Sequence, residues 1–427
     1  MGRPSTRVIT SQLPDTLVWV GQRHGEAEFL GALAKVRTVA CEIGADRSIE
    51  AETMTRERWS FASLADSRLL QLCIAETEEH TDCAVVPYVA DDQLTALKPP
   101  VLTADPGVVA RWLDRAFARS SLRRSGVRTP AHELVRAAEL PGIGSKKPVV
   151  VQGPGGSAGS ETYLCTGPCE AASVFGRGAR LLVSDLIEGL SFNCAGVVFG
   201  QGDVVAFPPS VQLLDLERPA RSTSSDHPTL EPFGRYYGNT YVSIGSPITG
   251  AMQVEVRRVG EAMGADGYRG AFGVDLVVPQ GGSPVVIEVN PRFQGSTVLQ
   301  SILDRAHGWP TLLEQHIAAV VGATPLTRPA ETYSTAASVV VIRARRPMVV
   351  RTTPHPIREP GCALSRSVSL DIGGAGDGMR AVEESALARA LWSGGAFNLR
   401  LRRLSTRARR LAASWESWTS HGSEIST

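Results

Sequence analysis

The stretch from Ala271 to Ser296, AFGVDLVVPQGGSPVVIEVNPRFQGS, constrains this chain more than any other. Two apolar runs, 271–278 and 285–290, flank a turn-like PQGGSP, the pattern of a β-hairpin. Each run carries one carboxylate, Asp275 or Glu288, among Val, Leu and Ile. A buried carboxylate without a partner is costly, so a cation, a metal or solvent must compensate it. With Val278 paired to Val285, Asp275 falls directly opposite Glu288, at about 5 Å, where like charges repel. Asn290 shares the face of Glu288, because residues two apart on a strand point the same way. Two carboxylates and an amide oxygen form a hard-oxygen set suited to Mg²⁺. The alternatives are a carboxylate pair acting as general acid and base, or a surface hairpin with solvated charges. The adjoining amide and apolar neighbours favour the metal. Arg292, just past the strand, is placed to neutralise a substrate carboxylate or phosphate by bidentate contact.

The rest of the chain gives this hairpin an α/β setting. TLVWVG (16–21) and CAVVPYV (83–89) read as buried strands, and GEAEFLGALAKV (25–36) as a helix between them. The turn GQRHG (21–25), with His24, lies where parallel sheets bind ligands, although a plain tight turn fits it as well. DPGVVARWLDRAFARSSLRRSG (105–126) reads as one helix started by Asp105 and Pro106. PVVVQ (148–152) reads as a strand that runs into the Gly/Ser loop 153–162, whose small residues let backbone N–H groups approach phosphate oxygens. That loop fits neither GxxxxGK[ST] nor GxGxxG, and a flexible hairpin tip is an equal reading. ARLLVSDLIEGLSFNCAGVVFGQGDVVAF (179–207) reads as strands kinked at Gly189. MQVEVRRVGEAMG (252–264) and STVLQSILDRAHG (296–308) read as helices, and AASVVVIRA (336–344) as a strand. Residues 215–240 lack periodicity and are expected to form a lid or a disordered loop, with Arg218, Arg221 and Arg235 as carboxylate partners. The last hundred residues also suggest two helical stretches and an Arg-rich face.

Composition excludes several classes. A formal net charge of +1 gives no global attraction to nucleic acid or an anionic membrane. No run is long and apolar enough for a signal peptide or a membrane span, so a cytoplasmic protein is expected. The seven cysteines lack paired CxxC motifs and are expected to be reduced and mostly buried. Four lysines stand against forty arginines, so Arg must supply most of any phosphate contact.

Together, these segments resemble the ATP-grasp superfamily of carboxylate–amine ligases over roughly residues 105–325. The most specific match is GVDLVV with VVIEVNPRFQGS, similar to the metal-binding strands that end in E-x-N-x-R. The resemblance implies an α/β (α+β) chain in which an N-terminal Rossmann-like pre-ATP-grasp domain (1–104) precedes the ATP-grasp core (105–325). It further implies a glycine-rich lid subdomain at about 141–186 and a C-terminal domain (326–427). ATP and Mg²⁺, two ions with Mn²⁺ able to substitute, are the implied cofactors. Asp275, Glu288 and Asn290 would hold the metal, with Glu288 and Arg292 as the catalytic residues. Arg115, Gln152, Gly155, Gly156 and Ser157 would meet the phosphates, and the backbone of Asp185 and Ile187 the adenine. Ser191 stands where many members place an acidic residue on the ribose. Gln152 stands where the family usually has Lys, and Lys146 or Lys147 is a substitute that could reach in. The implied reaction joins a small-molecule carboxylate to an amine or peptide, with no nucleic acid or membrane partner and a homodimer compatible with the pattern. The layout is similar to bacterial peptide ligases of secondary metabolism, of the pheganomycin-biosynthesis type. A phosphotransferase on the same fold and a non-catalytic nucleotide-binding scaffold remain open.

Overall fold

The structure, a computed structural model, describes residues 9–21, 24–40, 54–56, 67–142, 147–154, 161–167, 171–214, 230–327, 332–343, 348–349, 369–371, 380–381, 386–395, 397–398 and 403–404. The first sheet is parallel in all three of its described pairings. It contains β1 (Thr16–Gly21), β2 (Lys35–Ala40), β3 (Met54–Arg56) and β4 (Cys83–Pro87), in the order β3-β2-β1-β4. β1 and β4 are buried along their whole length, as continuous apolar runs require. The segment expected as a helix over 25–36 is instead a 3₁₀ helix, His24–Ala32, followed directly by β2. The helix α1 (Ser67–Glu79) precedes β4.

The 105–126 stretch divides into two helices, α2 (Pro106–Leu113) and α3 (Arg115–Arg124). Asp105 caps the first as expected, through the Val108 N–H. The break comes at Asp114, which leaves helical geometry (φ −68°, ψ 110°) and caps α3 through the Phe117 N–H. The second cap turns Arg115 and Arg119 onto a new axis.

A second, antiparallel sheet follows, made of β5 (His132–Arg136), β6 (Val149–Gln152), β7 (Thr162–Cys165) and β8 (Arg180–Asp185), with the short helix α4 (Ala171–Phe175) between β7 and β8. Its own core holds Val149, Val151, Leu181 and Val183.

Among the described residues, the central sheet has nine strands. Its members include β9 (Leu190–Gly200), β10 (Asp203–Ala206), β11 (Ser210–Leu214), β13 (Tyr236–Tyr241), β14 (Gly270–Val278), β15 (Val285–Asn290) and β16 (Ala337–Arg343). β12 (Glu231–Pro232) belongs to the second sheet and pairs with β7. Helix α5 (Ser246–Ala265) lies against β9, whereas α6 (Thr297–Ala306) and α7 (Leu312–Val320) follow the hairpin. Phe272, Val274, Leu276 and Val278 enter the α5 core, while Gly273, Asp275 and Val277 alternate to the opposite face. Further strands are β17 (Met348–Val349), β18 (Ser369–Asp371), β19 (Arg380–Ala381), β20 (Ala386–Ser393), β21 (Phe397–Asn398) and β22 (Arg403–Leu404). β20 and β18 extend the central sheet beyond β16.

Several expectations change here. The last hundred residues were expected to contain two helical stretches; their described elements are strands, and most of the Arg-rich stretch after Arg400 lies outside the described residues. The 215–240 stretch is not structureless throughout, because β12 and most of β13 fall in it; residues 215–229, with Arg218 and Arg221, lie outside the described residues. So do Gly155, Gly156, Ser157 and Lys146, as well as the side chain of His24. Cys73, Cys83, Cys165 and Cys194 are buried and form no disulfide among the described residues, as expected. No helix among the described residues is long and apolar enough to cross a membrane.

Candidate active site

β14 and β15 meet as a hairpin, and Asp275 is paired with Glu288 across it. The turn register differs from expectation: Val285 pairs with Val277 rather than with Val278. One extra residue, Ile287, restores the count, because Leu276 pairs with Val286 and Asp275 with Glu288. This is a β-bulge. It leaves Ile287, Glu288 and Asn290 on the cleft side, while Val286 and Val289 enter the core.

The cleft beside this hairpin encloses about 460 Å³, within the range of small-molecule sites. Arg115, Gln152, Asp185, Ile187, Ser191, Asp275, Glu288, Asn290 and Arg292 all line it. These residues singled out from the sequence are therefore at one cavity, whereas Lys147 and Arg235 are not among its lining residues.

Each group has identifiable partners. Arg115 reaches from α3 to two elements: its Nη1 donates to Gly153 O at 2.6 Å, and its Nε lies 3.4 Å from Glu288 Oε1. It thus stands between the root of the Gly/Ser loop and the paired carboxylates. Asn193 Nδ2 (2.7 Å) and Gln212 Nε2 (3.0 Å) both donate to Asp275 Oδ1, while Asn290 Nδ2 donates to Oδ2 at 3.4 Å. Arg292 Nη2 donates to Asn290 Oδ1 at 3.1 Å, and its Nη1 to Phe293 O at 3.0 Å. Gln152, at the end of β6, is buried and turned toward Thr162. Lys147 does not replace it. Its Nζ pairs with Asp185 Oδ1 at 2.7 Å, at the β6 end away from Gln152, and the ammonium is largely exposed. Such a surface pair contributes little.

Electrostatics mark the hairpin as short of positive charge. Burial, then the Glu288 charge, push the Asp275 carboxyl up to about 7, against the Asn193 and Gln212 hydrogen bonds and the Arg292 charge. Two carboxylates set against each other, with an amide alongside, fit a hard divalent cation that would supply the missing charge. Among the described residues, no group of three or more His, Cys, Asp or Glu is placed for a metal. The candidate ligand set accordingly rests on two carboxylates and the Asn290 amide.

The sequence reading missed the supporting layer except Tyr236, which follows Arg235 in the stretch expected as a lid at the substrate mouth. Asn193, Gln212, Tyr236, Asn239 and Ser296 line the cleft and are linked. Ser296 Oγ donates to Asn193 Oδ1 at 3.0 Å, Asn239 Nδ2 to Ser210 Oγ at 2.9 Å, and the Tyr236 hydroxyl to Asn239 Oδ1. Asn193 was detectable as a polar residue inside the apolar run SFNCAGVVF. A Cβ on Gly273 would overlap the Gln294 amide, the far end of a buried side chain that would then have to move.

Comparison with known proteins agrees with this architecture. Residues 114–296 match the ATP-grasp domain family. The biotin carboxylase domain of 2-oxoglutarate carboxylase from Hydrogenobacter thermophilus, solved with MgADP, ADP and bicarbonate, superposes with a TM-score of 0.62 at 14% identity, covering 90% of this chain and 87% of that one. L-amino acid ligase from Bacillus licheniformis gives 0.59 at 14% identity, covering 95% and 98%. Phosphoribosylamine–glycine ligase from Thermotoga maritima gives 0.59 at 13%, covering 94% and 96%. No curated protein sequence matches. At such identities the likeness concerns the fold. This chain has the ATP-grasp fold, and its ATP-grasp domain match spans residues 114–296.

Proposed function

We propose that the protein is an ATP-dependent carboxylate–amine ligase that joins an amino acid or its derivative to a second amino acid or peptide, in secondary metabolism. The observation that carries this reading is Asp275 set opposite Glu288 in a cleft that also holds Arg115, Arg292 and Gln152. Solved proteins of the same fold add support, one in complex with MgADP and another an L-amino acid ligase.

Asp275, Glu288 and Asn290 are the residues that would hold Mg²⁺, and the ion when bound supplies charge neutralisation at the phosphate oxygens. Arg115, already between Gly153 and Glu288, binds the β- and γ-phosphates. Gln152 adds a neutral contact, worth about 1 kcal/mol less than a charged one. The backbone at Asp185 and Ile187 holds the adenine. Arg292 orients the substrate carboxylate and faces the charge that develops as phosphate is transferred. A carboxylate oxygen bonds to the γ-phosphorus, and the bond from that phosphorus to the bridging oxygen breaks, releasing ADP. The amine then attacks the acyl carbon of the acylphosphate. The carbon–oxygen bond to phosphate breaks, phosphate leaves, and the amine gives up one proton.

The test is mass spectrometry of products formed from ATP and a panel of amino acids, with hydroxylamine added in a parallel reaction. A ligase yields an amide, ADP and phosphate, and a hydroxamate when hydroxylamine replaces the amine. ATP turnover that gives a phosphorylated hydroxyl compound and no hydroxamate contradicts the reading.

A further inference from the structure

Helix α3 carries a second arginine one turn after Arg115, and residues four apart share a helix face. Arg119 is 5% exposed, and its Nη2 donates to the backbone oxygen of Ile287, the bulge residue. The Arg115 and Arg119 side chains therefore reach two successive residues of β15, Glu288 and Ile287.

The bulge decides which way β15 presents its polar side chains. The turn sets Val277 opposite Val285 and Leu276 opposite Val286. Continued without a bulge, that register would place Ile287 opposite Asp275. Glu288 and Asn290 would then fall on the face of Val286, inside the apolar core. A slip of one residue reverses every side chain beyond it. The extra residue at Ile287 prevents this, but leaves that part of the strand out of step with the β14 ladder. β15 is also the edge strand of its sheet; on its open side the Val286 N–H donates to Arg128 O at 2.8 Å, and Arg119 takes the next carbonyl, that of Ile287.

We propose that Arg119 is a positioning residue that pins the Ile287 bulge and so turns Glu288 and Asn290 into the cleft. The inference rests on the metal-site reading above. The buried guanidinium is otherwise hard to account for, since Arg119 makes no carboxylate contact within ion-pair distance among the described residues and its Nη1 has no partner there. Burial lowers its pKa to about 10, Glu288 acting against this and Arg115 with it, so the group stays cationic at neutral pH. A buried cation in this place raises the field at Glu288 as well as holding the backbone.

The test uses Mn²⁺ with ADP, titrated into the full-length protein and followed by electron paramagnetic resonance. Arg119→Met keeps the length of the side chain and removes the donors. It is expected to weaken Mn²⁺ binding at least tenfold. Deleting Ile287 from that variant restores a regular ladder with Glu288 still opposite Asp275, and is expected to recover binding to within threefold of wild type. Arg119→Lys keeps one donor in reach of the Ile287 carbonyl and is expected within threefold as well. Arg119→Met binding Mn²⁺ within twofold of wild type overturns the proposal. So does a deletion that gives no recovery, since the loss would then not come from the bulge; removing the Arg119 charge by itself favours a bound cation. If Arg119→Met does not fold, a folded Arg119→Lys that has lost tenfold or more overturns it. A wild-type protein that binds no Mn²⁺ with ADP overturns the metal-site reading itself, a result distinct from the variant outcomes.

Discussion

Two groups of charges are buried in this molecule in opposite ways. Glu26 and Arg389 form a closed pair: Arg389 Nη1 lies 3.0 Å from Glu26 Oε1, with the side chains 6% and 0% exposed. The pair joins the 3₁₀ helix after β1 to β20, 363 residues further along, and is away from the cleft. Asp275 and Glu288 form an open cluster, two acids facing each other with arginines at the edges and a cavity above. A closed pair balances its own charge and can serve only the fold. An open cluster keeps unbalanced charge at a surface that a ligand can reach, which is costly unless a ligand arrives.

The comparison breaks most visibly in the cluster. Asp275→Asn and Glu288→Gln are each expected to lower turnover at least about a hundredfold, the size of losing one transition-state contact. Thermal stability should hold or rise, because either change removes like-charge repulsion across the ladder. Purified variants assayed for ADP release and melting temperature give the answer. Wild-type turnover in either one would make the cluster structural.

The closed pair should behave in reverse. Arg389→Leu leaves Glu26 buried, with both carboxylate oxygens lacking partners among the described residues. A loss of about 3–5 kcal/mol is expected in urea unfolding, with the KM for ATP unchanged. A change in ATP KM without a change in stability would erase the distinction.

His316 sharpens the contrast, as a buried titratable group kept neutral. The Ala271 N–H donates to its Nδ1 (2.9 Å), and its Nε2 hydrogen points at Leu102 O (3.2 Å). Burial lowers its pKa to about 4. The folded state therefore takes a proton only near pH 4, whereas the unfolded chain does so near 6.5. The stability it contributes is full above about 6.5 and is lost as pH falls toward 4, by up to about 3 kcal/mol. The Asp275 carboxyl, raised to about 7, acts in the opposite sense in both proteins, so the readout is the difference. Between pH 7 and 4.5 the denaturation midpoint of the wild type should fall relative to that of His316→Gln.

The smallest effect is expected at Arg115. Arg115→Ala removes a charged contact to phosphate, worth about 1.5–3 kcal/mol, and should raise the KM for ATP at least about tenfold. The KM for the amine should change far less. An unchanged ATP KM would make Arg115 a structural link between Gly153 and Glu288.

The sequence displayed the cluster but not what holds it. The pairing of Asp275 with Glu288 was expected, but from a turn register that the structure shifts by one residue and the bulge then restores. The bulge was invisible, because VVIEVN is apolar at the positions where the register changes, and either face would accept Val or Ile. Asn193 and Gln212 come from strands 82 and 63 residues away from Asp275, so no local pattern joins them to it. Arg119 reads as one more solvated arginine in RAFARSSLRR. Only the break at Asp114, which resets the helix axis, turns it inward. The 3₁₀ segment at 24–32 was mistaken for a helix because GEAEFLGALAKV has helical spacing, and β2 then takes its last residues.

The account stands on a carboxylate–phosphate intermediate, and its isotope signature tests that directly. With the carboxylate substrate identified as its hydroxamate, the reaction is run with both carboxylate oxygens as ¹⁸O, and the released phosphate is analysed by mass spectrometry. Attack by that carboxylate on the γ-phosphorus, followed by cleavage at the acyl carbon, sends one ¹⁸O into each phosphate. Unlabelled phosphate released alongside amide product would contradict the account.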